Sequence, residues 1–360
     1  LIVPPQIHGS AVFSFRDKRG FYIAIKMRFC RCLRPAMRFQ PHLEPMNPLV
    51  SICVPAFQAG NFLRATLESV AAQTYSSWEL IVTEDGSADE AEEIVRSFAK
   101  RVAQRVVYSR HDKNKGLPAT RNTGIGLADS EWVALLDADD LWKPSHLENL
   151  VRVASSTGAA IVCAASTQFA SESGQITGEL PQTEALVAAF PVSLYQGKLI
   201  ILPSSAMVRR DVLIRSGLVN LRYRMCNDTE LWFRLASSGN KFGFTHSSTC
   251  LYRKHRGGSL SNQHTANLLE LGRLYDEYAG WTAIPAKIRR GKAASLYRYA
   301  GRTLMGKSPR EARALFWQAL KREWLNASTW YHYARSFFAP GLLKEADSSA
   351  QSGSRAPQNV

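Results

Sequence analysis

The run Leu135-Leu136-Asp137-Ala138-Asp139-Asp140 sets three carboxylates at the end of an apolar stretch. Carboxylates this close repel one another unless a cation sits among them. Mg²⁺ and Mn²⁺ prefer oxygen ligands and are commonly held by one or two carboxylates together with substrate phosphates. Divalent-metal chemistry on a phosphorylated ligand is therefore one reading. A solvated acidic turn is the other, since a motif this short is weak by itself. Three further positions invite the same question. Asp85 stands before Gly86 as either a ligand group or an Asx-turn stabiliser. Asp228 precedes Leu231, Trp232 and Leu235, an apolar face at helical spacing, which makes it a helix-start residue and a candidate N-cap. His255 lies among Arg253, Lys254 and Arg256, where a lone imidazole is either structural or a ligand.

The elements that must hold these residues alternate. Residues 49–54 read as an apolar strand ended by Pro55. Asn61 then serves as N-cap for a helix carrying Leu63, Leu67 and Val70. A strand over 79–83 precedes a helix over 89–100 with acids in its first turn, where the helix dipole favours them. A strand at 105–109, a helix around 118–128 and a strand at 132–136 follow. Alternating units of this kind predict an α/β fold, a mostly parallel sheet sandwiched by helices. Ligands on such sheets bind beyond the carboxyl ends of the strands. Pro55, Asp85 and the 137–140 turn would share that rim.

Composition narrows the class. The formal net charge is +15, but residues 1–48 carry +6 and residues 287–344 carry +11, while 49–286 carry −1. A nucleic-acid enzyme would concentrate its positive surface at the cleft; here the middle is neutral, so no nucleic-acid partner is expected. Basic flanks mixed with aromatics suit an anionic membrane surface or a plain solvated surface. Six cysteines at 30, 32, 53, 163, 226 and 250 form no CxxC pair, and Cys53 and Cys163 lie in apolar runs, which points to a reducing, cytoplasmic setting rather than a disulfide scaffold; the basic flanks suit a peripheral place at the inner face of the cell membrane.

Taken in order, Val50-Ser51-Ile52-Cys53-Val54-Pro55-Ala56-Phe57, Gln73-Thr74, Asp85-Gly86-Ser87, Asn114-Lys115-Gly116, Arg121-Asn122-Thr123-Gly124, Leu136-Asp137-Ala138-Asp139-Asp140, Asn227-Asp228-Thr229-Glu230-Leu231-Trp232 and Tyr252-Arg253-Lys254-His255 resemble a family 2 glycosyltransferase of the GT-A fold. The resemblance implies inverting transfer of a sugar from a nucleotide-sugar donor, most simply a UDP-sugar, to an acceptor hydroxyl on a glycan or lipid-linked acceptor. It implies a setting in envelope or exported polysaccharide synthesis. By the same match Pro55, Ala56, Glu84 and Asp85 hold the nucleotide, and Asp137 faces the ribose or the metal's water shell. Asp139 coordinates Mn²⁺ or Mg²⁺, with His255 as a second ligand, and Asp140 orients the turn. Arg121 contacts phosphate or braces the acidic turn. Asp228 resembles the base that deprotonates the acceptor. Family members usually carry Glu ahead of that Asp, where this chain has Asn227, and often Asn where it has Gln58.

The expected domains are a basic leader over 1–48, the GT-A domain over 49–265, a basic helical extension over 266–344 and a disordered tail over 345–360. The leader's segment 21–39 mixes Phe, Ile and Met with Arg and Lys and reads as a membrane-surface segment or an unstructured one. Gly257, Gly258 and Ser259 read as a mobile closing loop, with Arg253 and Arg256 available to a diphosphate. In the extension, Ser308-Pro309-Arg310-Glu311 predicts a capped helix start. Tyr297, Tyr299 and Ala300 recur 34 residues on as Tyr331, Tyr333 and Ala334, which hints at a helical repeat. Two other functions compete: a sugar-nucleotidyltransferase, disfavoured because Ala56-Phe57-Gln58-Ala59-Gly60 has no Arg or Lys, and a non-catalytic nucleotide- or sugar-binding module.

Overall fold

The computed structural model describes residues 10–16, 22–28, 49–255 and 264–337. The Arg256 and Gly257-Gly258-Ser259 expectations and the tail over 345–360 lie outside them, as does all of 29–48. The chain divides into a unit over Leu1–Met46 and a unit over Asn47–Val360. In the first, β1 (Ser10–Arg16) pairs antiparallel with β2 (Tyr22–Arg28), Ser10 opposite Arg28 and Arg16 opposite Tyr22.

The second unit is built on a mixed, mostly parallel nine-stranded sheet. Its chain order begins with β3 (Val50–Ala56), α1 (Gly60–Ala71), β4 (Trp78–Glu84), α2 (Ala91–Ala99), β5 (Val106–Arg110), α3 (Leu117–Leu127) and β6 (Trp132–Leu135). It continues through β7 (Leu141–Trp142), α4 (His146–Thr157), β8 (Ile161–Ala170), β9 (Ile176–Leu180), α5 (Glu184–Ala188), α6 (Val192–Tyr195) and β10 (Ala206–Arg209). The sheet part ends with α7 (Arg210–Arg215), α8 (Asn227–Ser237) and β11 (Phe242–Lys254). Then come α9 (His264–Glu277), α10 (Ala286–Leu304), α11 (Pro309–Arg322) and α12 (Ala327–Arg335), the helical extension.

Spatial order is β5-β4-β3-β6-β10-β8-β11-β7, with β9 on β8. Strands β3, β4 and β5 run outward in one direction, and β6 then returns to the other side of β3. That reversal opens a crevice beyond the carboxyl end of β3, the place where open α/β sheets bind ligands. Fully buried Ile52, Leu80, Val82 and Leu135 make the central strands apolar on both faces, as a helix-covered parallel sheet requires.

Local details differ from the sequence reading in four places. Strand β3 does not end at Pro55 but runs through it, pairing Pro55 with Thr83 and Ala56 with Glu84. The ring is tolerated because β6 pairs with β3 only as far as Cys53, so no ladder donor is needed on that side. Asn61 is not a cap: α1 starts one residue earlier, and the Asp89 carboxylate accepts from Gly60 N at 3.1 Å, supplying the acceptor from another element. Ser308 is the N-cap of α11 but makes no side-chain cap hydrogen bond. Asp228 lies inside α8, whose N-cap is Cys226, so it is not an N-cap either.

Candidate active site

Two clusters occupy the rim at the carboxyl ends of β3, β4 and β6. The first is organised around Asp85. Its N–H donates to Ala56 O at 2.8 Å, which fixes the turn to the end of β3. Oδ1 accepts from Lys115 N and the His111 ring, and Oδ2 accepts from Gly116 N, at 2.7–2.8 Å. Burial pushes this carboxyl upward, but the three hydrogen bonds outweigh it and hold it below the usual carboxylate range. Gly86 is required here. Its φ is +72°, and a Cβ would stand 2.7 Å from the Lys113 carbonyl carbon. The Asp85-Gly86 and Asn114-Lys115-Gly116 motifs are thus two halves of one interlock. Glu84 is also committed locally: Oε1 accepts from Ser87 N and Oγ, and Oε2 pairs with Arg110 Nε at 2.9 Å.

The second cluster holds the acidic turn. Thr66 Oγ1 on α1 lies 2.8 Å from Ala138 O and 2.9 Å from Asp140 O. Asp140 is buried and latches the turn, accepting from Ser204 Oγ at 2.5 Å and Arg253 N at 2.9 Å. Burial and the neighbouring carboxylates raise its pKa well above the usual range. Arg253 has its guanidinium between the Phe62 and Phe169 rings, 4.9 and 4.6 Å from their centroids, and donates Nε–H to Asp139 O at 2.7 Å. Within the described contacts this arginine braces the turn.

Asp137 and Asp139 remain partly open to solvent. Asp139 Oδ2 meets His255 Nε2 at 2.8 Å, immediately after β11 ends. Partial desolvation and the Asp137 charge raise the Asp139 pKa, while His255 opposes the rise. Among the described residues no three His, Cys, Asp or Glu side chains converge as a metal cage. The Asp139–His255 pair nevertheless fits a divalent ion that takes its remaining ligands from a diphosphate and water, and such a charge would relieve the crowding in the turn.

Arg121, buried on α3, joins this turn to the other candidate carboxylate. Its Nη2 donates to Asp137 Oδ1 and its Nη1 to Asn227 Oδ1, both at 2.7 Å. Asn227 is the first residue of α8 and Asp228 the second. Asp228 Oδ1 accepts from its neighbour Thr229, at 2.7 Å from the backbone N–H and 3.4 Å from the hydroxyl. Desolvation raises its pKa against the opposing pull of Arg121. A carboxylate with spare acceptor capacity and raised basicity is suited to taking a proton. Leu231, Trp232 and Leu235 are buried behind it, as their spacing requires.

Several residues that hold the site carried no signal in the sequence. Ser204 supports both Asp137 N, at 3.0 Å, and Asp140 from a 3-10 turn 67 residues downstream of Asp137. His111 buttresses Asp85. Glu270 on α9 accepts from Met225 N at 2.7 Å and Cys226 N at 2.9 Å, placing a carboxylate at the N-terminus of α8. Such a pairing between distant segments leaves no local pattern to read.

Residues 51–217 match the family model "Glycosyl transferase family 2". Among curated proteins, the putative glycosyltransferase EpsH of Bacillus subtilis is 32% identical over 137 residues, covering 38% of this chain and 39% of EpsH. Glycosyltransferase GlyG of Streptococcus pneumoniae is 25% identical over 229 residues, 61% of this chain and 75% of GlyG. Among solved structures, residues 1–349 of S. aureus TarS in complex with UDP-GlcNAc superpose with a TM-score of 0.58 at 14% identity, over 76% of this chain and 81% of that one. The mannosyltransferase PcManGT from Pyrobaculum calidifontis, in complex with GDP-Man and Mn²⁺, gives 0.55 at 16%, over 81% and 84%. The family 2 glycosyltransferase pattern, matched over residues 51–217, and the fold shared with these structures coincide on the strands that carry the acidic rim.

Proposed function

We propose that this protein transfers a sugar from a UDP-sugar to a hydroxyl of a glycan or lipid-linked acceptor, with inversion, in envelope or exported polysaccharide synthesis at the cytoplasmic face of the membrane. One observation carries the reading: Arg121 bridges Asp137 of the acidic turn and Asn227 beside Asp228, which ties the turn to the start of the helix that carries Asp228. The TarS complexes with UDP-GlcNAc and with UDP support the choice of nucleotide.

In this mechanism Pro55, Ala56, Glu84 and Asp85 shape the nucleotide end of the crevice, and Asp137 lies toward the ribose. Asp139 and His255 would hold a divalent ion, Mn²⁺ or Mg²⁺, which would supply neutralisation of the charge that develops on the diphosphate leaving group. Arg121 keeps Asp137 fixed relative to α8. Asp228 takes the proton from the acceptor hydroxyl, whose oxygen attacks the anomeric carbon opposite the leaving group. The bond to the nucleoside diphosphate breaks, and the configuration inverts.

The test is release of nucleoside diphosphate from a panel of nucleotide sugars with Mn²⁺, Mg²⁺ or EDTA, for wild type and Asp139→Ala. Metal-dependent turnover of one donor, lost in Asp139→Ala, is expected. Turnover that ignores EDTA and the substitution would overturn the metal assignment. Nucleotide binding without turnover under every condition, acceptor glycans included, would leave a binding module.

A further inference from the structure

The exposed face of the last two helices is an unusual combination of residues. On α11, Arg310, Arg313, Trp317, Lys321 and, just past its end, Trp324 recur at steps of three, four, four and three residues, which puts them on one stripe. Trp317 is 38% exposed and Trp324 57%, and Leu325 beside it is 93% exposed. The rings form a connected set rather than isolated side chains. Trp324 meets Trp317 at 6.1 Å and Trp330 of α12 at 4.7 Å, and Trp330 meets Tyr333 at 5.8 Å. Phe337 extends the set at 5.5 Å from Tyr333, with the Arg313 guanidinium 3.6 Å from its ring centroid. No acid interrupts the stripe: of the two carboxylates in 287–337, Glu323 pairs with Arg298 and Glu311 lies off it.

We propose that α11 and α12 dock this protein onto an anionic lipid surface, with the tryptophans and Leu325 entering the headgroup layer and Arg310 and Lys321 meeting lipid phosphates. This deepens the membrane placement given above and does not depend on the transferase chemistry. Charge decides the occupant. Residues 287–337 carry twelve Lys and Arg against two Glu. Protein interfaces are depleted of Lys at their centres, whereas Trp beside Lys and Arg is the mixture favoured at a membrane–water boundary. Among the described residues no helix is long and apolar enough to cross a membrane, so the contact is one of surface insertion.

The experiment is co-sedimentation of the full chain with phosphatidylcholine vesicles and with vesicles containing about one-third phosphatidylglycerol, at low and high salt. Binding is expected only with the anionic lipid and to weaken with salt. Lys321→Glu should reduce the partition coefficient about fivefold or more, following the attraction of a single cation to such a surface. The double substitution Trp324→Ser, Leu325→Ser should reduce it about tenfold while far-UV circular dichroism and melting stay unchanged, since both side chains are exposed. Lys100→Glu, an exposed cation of the catalytic domain, should stay within twofold of wild type. Equal binding to neutral vesicles, or equal loss in Lys100→Glu, would overturn the proposal. So would concentration-dependent self-association abolished by the Trp324/Leu325 pair, which would assign the face to a second copy of the chain.

Discussion

Glu270 gives the sharpest test of how the extension serves the site. Its Oε1 accepts from Met225 N and Cys226 N and lies 3.3 Å from Cys226 Sγ, all immediately ahead of Asp228. Cys226 offers no side-chain cap of its own, and this carboxylate holds the two residues that lead into α8. Glu270→Ala leaves two backbone donors without a partner. An unmade hydrogen bond costs about 1–3 kcal/mol when buried, and Glu270 is partly exposed, so water recovers some of it. A loss of about 2–3 kcal/mol is expected for the pair. Glu270→Gln keeps an acceptor and forfeits the charge at a helix N-terminus, about 0.3–1 kcal/mol. Urea unfolding reads these losses as midpoint shifts at unchanged slope. Turnover carries the second readout. If α8 shifts, Asp228 is misplaced, and an error of about 1 Å costs on the order of 10²-fold. Nucleoside diphosphate release, measured well below the melting temperature, should then show kcat reduced and donor KM nearly constant, with Gln largely restoring both. A Glu270→Ala protein that unfolds at the wild-type midpoint and turns over at the wild-type rate would refute the reasoning.

Other outcomes follow from the same geometry. Asp228→Asn should retain nucleotide affinity by calorimetry while transfer falls by about 10²–10⁴-fold; unchanged transfer would remove Asp228 as the base. Gly86→Ala should destabilise by at least about 1–2 kcal/mol from its left-handed backbone alone, and the Lys113–Asn114 backbone must move as well. Nucleotide affinity should fall with it, and wild-type affinity and melting would count against the interlock. His146 is fully buried beside Trp142 and Thr249, and burial lowers its pKa from 6.5 to about 3. The unfolded chain takes up a proton below pH 6.5 that the native state refuses. Stability is therefore full above pH 6.5 and declines by roughly 1.4 kcal/mol per pH unit down to about pH 3. His146→Phe should flatten that part of the stability–pH profile, and an unaltered acid limb would assign the loss to other groups.

Much of this was legible in the residues alone. Apolar runs of strand length, separated by helical patterns, determined the α/β sheet, because a strand buried on both faces needs apolar residues throughout. The acidic turn, Asp85-Gly86 and Asp228 stood out because chemistry at a rim demands residue types that a core would reject. Tertiary structure decided how they are held. That Asp85 is held by Lys115, Gly116 and His111, that Asp140 latches on Ser204, that Arg121 joins Asp137 to Asn227, and that Glu270 holds the residues leading into α8 all depend on segments far apart in the chain. Local helix ends were misread for the same reason: Asp89 supplies the acceptor expected from Asn61, across 29 residues. Periodicity and turn chemistry are properties of neighbours in sequence and can be read there. A hydrogen bond is satisfied by whatever group the fold brings within about 3 Å, and only the packed chain specifies which group that is.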